Sequence, residues 1–128
     1  MGMKQGLRND ILSHIFRGAA SPRADTYYLG LLVSGTEVTT ANWTNYARLA
    51  IDASVASTIF EAVSNPSGTR SRVRNTAEVT FQAAPTVEGT GPQVNGFAVY
   101  AASSGGSPLI DGDLSSPQTI NDGAPVVI

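Results

Sequence analysis

Residues 96–114, GFAVYAASSGGSPLIDGDL, decide how this chain folds. An apolar alternating run ends at Tyr100, a small-residue turn follows at Ser103-Ser104-Gly105-Gly106, and a second alternating run returns to Leu114. Two runs of period two joined by residues that accept positive φ read as a β-hairpin. Working outward, residues 26–33 (TYYLGLLV) read as a strand with Tyr27, Leu29, Leu31 and Val33 on one face and Tyr28, Gly30 and Leu32 on the other. Both faces are apolar, which predicts a central strand covered on one side by a helix or a second sheet.

Weaker strand signals follow at residues 46–52 (YARLAID), 58–63 (TIFEAV) and 72–83 (RVRNTAEVTFQA). Short closing strands are expected at 119–120 and 125–128, around a turn at Asn121-Asp122-Gly123. Residues 34–44 are polar and read as a loop, Asn65-Pro66-Ser67-Gly68 as a strong turn, and residues 84–93 as a Pro/Gly-rich connector. Residues 4–17 are the one convincing helix: Leu7, Ile11 and Ile15 recur every fourth residue, with Leu12 and Phe16 beside them. Gly18 suits the residue after its last turn, and Pro22 blocks extension. A helix of about four turns is marginal alone in water, so its apolar side needs a cover, either the protein's own sheet or a partner subunit. The pattern predicts a mainly β protein, an antiparallel β-sandwich or barrel-like domain with one N-terminal α-helix. Residues 1–22 form the helix and linker, residues 23–128 the β body, and together they make one domain.

At 128 residues the chain buries roughly two thirds of its unfolded surface and holds a core without staples. Only 14% of residues are charged, against roughly 25% in typical soluble domains, which suits a surface covered by neighbours. A net charge of −2 gives no bulk attraction to nucleic acid or acidic lipid. There is no cysteine, hence no disulfide or thiol chemistry. Apolar runs are too short to span a membrane, and residues 7–16 are too interrupted by Arg8, Asn9, Asp10, Ser13 and His14 to be a secretory signal.

Candidate chemistry is sparse. His14 has Asp10 one helical turn earlier, an arrangement that reads as a loose surface pair, since no nucleophile is aligned with it. Asp111-Gly112-Asp113, with Asp122 downstream, lacks the further oxygens of a calcium loop and reads as turn chemistry. Gly105-Gly106 precedes no helix and is no phosphate cradle. Arg70, Arg72 and Arg74 recur at spacing two and would share one strand face. Such a ridge suits phosphate, nucleic acid or an acidic partner patch. The negative net charge favours pairing with carboxylates, either Glu61 or Asp52 within the fold or those of another subunit. Asn42-Trp43-Thr44 matches a glycosylation sequon by composition only, and Trp43 and Tyr46 are expected to anchor their loop on the core, with Trp43 also a candidate contact for a partner.

The order of these motifs is familiar: LRNDILSHIFRG, then YLGLLVSG, Tyr46-Ala47-Arg48, NTAEVTF at 75–81, the 96–114 hairpin, and Asn121-Asp122-Gly123 before Pro125-Val126-Val127-Ile128. It resembles a family of small structural proteins of tailed bacteriophages, described as capsid decoration or tail-fibre-like proteins. The likeness runs from about Leu7 to the last residue. It implies a virion component with a β-sandwich core, no enzymatic activity, no cofactor or metal, and assembly through repeated contacts. The leading expectation is a capsid decoration (cement) protein bound to the major capsid protein or another virion protein. A tail, tail-fibre or baseplate component is the alternative. A carbohydrate-binding β-module using Trp43, Asn42 and Asp111 stands further off. Homo-oligomers, trimers among them, fit the reading; nucleic acid and membrane partners do not. Localisation would be the virion, assembled in the host cytoplasm. The candidate interface comprises Leu7, Ile11, Leu12, Ile15 and Phe16, Trp43, the ridge Arg70, Arg72 and Arg74, and the closing edge Val126, Val127 and Ile128; the family resemblance implies a further apolar stretch there, so the expectation is either a shortened chain or a last strand completed by a neighbour.

Overall fold

The computed structural model describes residues 2–20, 26–41, 43, 45–52, 60–68, 70–72, 74–75, 78–81, 90–121 and 126–128. Among these residues eight strands and one helix run in the order β1 (Gly2–Met3), α1 (Gln5–Arg17), β2 (Thr26–Val33), β3 (Thr36–Glu37), β4 (Leu49–Asp52), β5 (Ser64–Ser67), β6 (Arg70–Arg72), β7 (Thr90–Tyr100) and β8 (Ile110–Asn121). The main sheet has the order β1-β8-β7-β2-β3, with β4 also pairing β2, and every pairing is antiparallel. It curls into a half-barrel.

The hairpin expected around residues 96–114 is the spine of this sheet. Val99 faces Ile110 and Gly96 faces Asp113 across β7 and β8, and the connection carries left-handed Gly105 (φ 64°) and Gly106 (φ 71°). Its strands are longer than the alternation suggested: Thr119 and Ile120 belong to β8 rather than to a separate closing strand. The register jumps between Val94↔Gln118 and Gly96↔Asp113, so that Asn95 stands against residues 114–117. Pro117, which has no N–H for a ladder, falls within this bulge. The bulge also resets the alternation. Val94 and then Phe97 and Val99 all reach the main core, although their numbers differ in parity.

β2 spans the residues expected of it and lies inside the sheet, between β7 on one side and β3 and β4 on the other. Leu29 and Leu31 join Val38, Trp43, Ile51, Val79, Phe81, Val94, Ile120 and Val126 in the main core, while Leu32 packs with Ala98 and Tyr100 on the opposite face. The two apolar faces of the sequence thus correspond to two packed clusters.

Elsewhere the structure redraws the elements. β4 starts at Leu49, not Tyr46, because the chain is still turning there: Tyr46 N–H donates to the Trp43 carbonyl at 2.9 Å. The segment expected as a turn, residues 65–68, lies mostly in β5, and the chain reverses at Gly68 to pair with β6. Pro66 is tolerated because a two-stranded ribbon is all edge. The expected strand at 58–63 contributes one bridge, Phe60↔Asn75, and the rest of its start lies outside the described residues. The long strand expected at 72–83 is divided. β6 ends at Arg72, and residues 79–81 pair instead with the end of the chain: Val79 and Ile128 exchange backbone hydrogen bonds at 2.8 and 3.0 Å, and Phe81 N–H donates to the Val126 carbonyl at 2.9 Å.

The helix matches expectation in its residues but not in its placement. It ends at Gly18 (φ 66°), a left-handed cap. None of its residues is buried, and among the described residues no strand makes an extensive contact with it. Among those residues, docking on the protein's own sheet, the simpler expectation, is not seen.

Candidate functional site

Three features of the described residues offer themselves for function: the projecting helix, a cleft on the inner face of the half-barrel, and the clamped tip of the β7–β8 hairpin.

Among the described residues the helix is anchored at its root. β1 pairs with the start of β8, Lys4 N–H donates to the Leu109 carbonyl at 2.7 Å, and the Lys4 ammonium meets Asp111 Oδ2 at 2.5 Å. That contact holds the Asp111 carboxyl below its usual range. At the far end His14 Nδ1–H donates to the Ala19 carbonyl at 2.7 Å, so the histidine closes the helix C-terminus and is not a partner of Asp10 as expected. Between these ends Leu12 is 53% exposed, Ile15 62% and Phe16 78%, while Leu7 and Ile11 are half-buried. Complete burial of such side chains yields about 1.5–3 kcal/mol each, so the three exposed ones together hold roughly 3–5 kcal/mol that the isolated chain does not use.

The cleft has a volume of about 830 Å³. Its floor is apolar, formed by Leu29, Phe97, Val99 and Leu114 together with Phe60 and Ile128. Glu61, Arg74 and Asp113 stand at its rim.

The hairpin tip is held by a half-buried ion pair. Arg48 forks onto Glu37, Nε to Oε1 and Nη2 to Oε2, both at 2.8 Å. Its remaining nitrogen, Nη1, donates to the Ala102 and Gly105 carbonyls at 2.8 Å each. The guanidinium lies 3.3 Å over the Tyr100 ring, and its side chain is 5% exposed. The Tyr46 hydroxyl donates to Glu37 Oε1 at 3.0 Å and accepts from Leu31 N–H at 3.0 Å. Burial pushes the Glu37 carboxyl up, but the hydrogen bonds from Arg48 and Tyr46 and the Arg48 charge outweigh it, leaving the group below its usual range. Burial foremost, then the Glu37 charge, raises the Tyr46 hydroxyl, and the same two causes raise Tyr100. The hydrogen bond to Glu37 raises Arg48 further. This is a clamp without a nucleophile, and it sets the shape of an otherwise fully exposed loop of small residues. Sequence reading noted Tyr46-Ala47-Arg48 but not its partners. The one available signal was Gly30 inside an apolar strand: a Cβ there would stand 2.9 Å from both Glu37 Oε1 and the Tyr100 ring.

Several expected interface residues are elsewhere. Trp43 is 1% exposed and Val126 2%, so both serve the core and present nothing to a partner. With Trp43 buried, Asp111 on Lys4 and Asn42 outside the described residues, the expected sugar platform is not assembled. Val127 and Ile128 are half-buried, and the edge expected to await a neighbour is paired on one side with residues 79–81. Arg74 meets Glu61 at 3.3 Å, the intramolecular pairing anticipated for the ridge. Arg70 and Arg72 lie opposite Ser67 and Ser64 in the ribbon. Asp122 lies outside the described residues, and no group of three metal-ligating side chains occurs among the described ones. No helix among them is long and apolar enough to cross a membrane.

A family model described as Podophage GP4 fiber I protein gp80 matches residues 2–128. The chain belongs to that family. A search of curated proteins finds no match. Membership makes the chain one of a family of tailed-phage virion structural proteins, as the resemblance implied, and its description points to a fibre rather than to the capsid shell. In this member of the gp80 fiber family, contact surfaces are built on a mainly β body with one N-terminal helix among the described residues.

Proposed function

We propose that the protein is a tail-fibre-like structural component of a podophage virion that works by assembly and carries out no catalysis. The observation that carries this is the helix, whose Leu12, Ile15 and Phe16 side chains are exposed, with no described strand of the same chain covering them. An apolar stripe of this kind is stable and soluble only when another surface takes it up. The family description supports a fibre role over the capsid-decoration role. The clamped tip of the β7–β8 hairpin, next to the root of the helix at Leu109–Asp111, suits a rigid body whose shape, rather than any reactive group, is used. Immunogold labelling of intact virions tests the proposal. Gold on the tail region supports it, whereas gold spread over the shell restores the capsid-decoration reading, and virions that never bind the label end both.

A further inference from the structure

The molecule carries two unsatisfied apolar features of opposite shape, a ridge and a recess, and they match in charge. The ridge is the helical row Arg8, Leu12 and Phe16, repeating every fourth residue, with Ile15 alongside. It is therefore an apolar row headed by a cation. The recess is the cleft between β7–β8 and the strands around Phe60 and Ile128, an apolar floor with the exposed carboxylate of Asp113 at its rim. No residue of the chain's own helix lines that cleft. We propose that the helix of one copy seats its Leu12–Ile15–Phe16 ridge in the cleft of a second copy, with Arg8 meeting Asp113, so that copies join head to tail.

The sizes agree. A 13-residue helix is about 20 Å long and 10 Å wide and occupies roughly 1,500 Å³, too much for the cleft as a whole body. The recess of about 830 Å³ takes the side chains of one face. The alternative of bundling helices side by side in parallel would set Arg8 against Arg8 in an apolar contact, a like-charge cost that the cleft avoids. In a head-to-tail arrangement each copy contributes once as ridge and once as recess, at two separate contacts. Such a contact is heterologous and closes into a ring or continues as a filament.

The test is complementation between two full-length variants, each altered only at exposed positions. Leu12→Asp/Phe16→Asp removes the ridge, and Asp113→Arg/Ser115→Trp blocks the recess. Sedimentation velocity is expected to show wild type above monomer mass, each variant monomeric, and an equimolar mixture forming a one-to-one dimer that grows no further. Retained circular dichroism checks that each variant is folded. Arg8→Glu alone is expected to weaken association about tenfold or more, with Asp113→Arg in the same chain restoring it. The proposal is overturned if wild type is monomeric at high concentration, if the recess variant still assembles like wild type, or if the mixture stays monomeric. It stands or falls apart from the virion assignment, because it concerns purified protein only.

Discussion

Replacing Arg48 by Met should uncouple the hairpin tip from the body while leaving the sheet intact. The guanidinium is 5% exposed and Glu37 24%, so the pair is neither a surface bridge nor fully dry. Removing one partner of a fully buried pair costs about 3–5 kcal/mol, and the partial exposure of Glu37 discounts that figure. Loss of the two bonds to the Ala102 and Gly105 carbonyls and of the stacking on Tyr100 restores part of it. We expect a loss of about 3 kcal/mol, which lowers Tm by about 10 °C in a domain of this size. Hydrogen exchange should quicken at residues 101–109 far more than in β2 or β7, because the tip has no buried side chain of its own to hold it. Arg48→Lys should recover little, since an ammonium cannot reproduce the fork on Glu37 together with two carbonyl bonds. Adding Glu37→Met to Arg48→Met should cost less than the sum of the two single changes, because the stranded carboxylate is then gone. A Tm within about 2 °C of wild type for Arg48→Met, with unchanged exchange at the tip, would refute the reasoning.

The pH dependence follows from the same cluster. Glu37 titrates below its ordinary value of 4.5 in the folded state, so its contribution is complete above that value and is lost as pH falls through the lower folded one; Glu37→Gln should flatten the acid limb of a Tm–pH curve. Tyr46 and Tyr100 titrate above their ordinary value of 10, so their contribution is complete below it and is lost as pH rises further, and ultraviolet titration should show both ionising above that value. Gly112→Ala should destabilise by about 1–3 kcal/mol in a denaturant melt, because its Cβ would stand 2.8 Å from the Phe97 ring. At concentrations low enough for both proteins to be monomeric, Phe16→Asp should leave Tm within about 1–2 °C of wild type, since the side chain is already 78% exposed, whereas Trp43→Ala should cost about 3–5 kcal/mol by emptying the core. A large Tm loss for Phe16→Asp would mean that the helix is packed after all.

Legibility followed the reach of the interactions. The β7–β8 hairpin and β2 were readable because alternation over eight or more residues and a glycine turn are local signals that tertiary structure reinforces. The 58–83 region was misread at its boundaries. Its strands are three or four residues long, and Val79 and Phe81 pair with residues 45 or more positions away at the chain's end. Trp43 was legible as an anchor but also suggested as an interface residue, because an aromatic in a polar loop serves either role until its cover is known. The clamp was invisible for the same reason: Glu37, Tyr46, Arg48, Tyr100 and two loop carbonyls meet from three separate stretches of chain.

By itself the sequence determined a mainly β body, one amphipathic N-terminal helix, and the absence of cysteine chemistry, since each depends on composition or on neighbours a few residues apart. Only the tertiary structure decided that the helix stands clear of the sheet, that Trp43 and Val126 lie inside, and that an apolar cleft opens on the half-barrel's inner face. The physical reason is that amphipathicity demands a cover without naming it. Which surface supplies the cover depends on where distant strands place their faces, and periodicity carries no record of that.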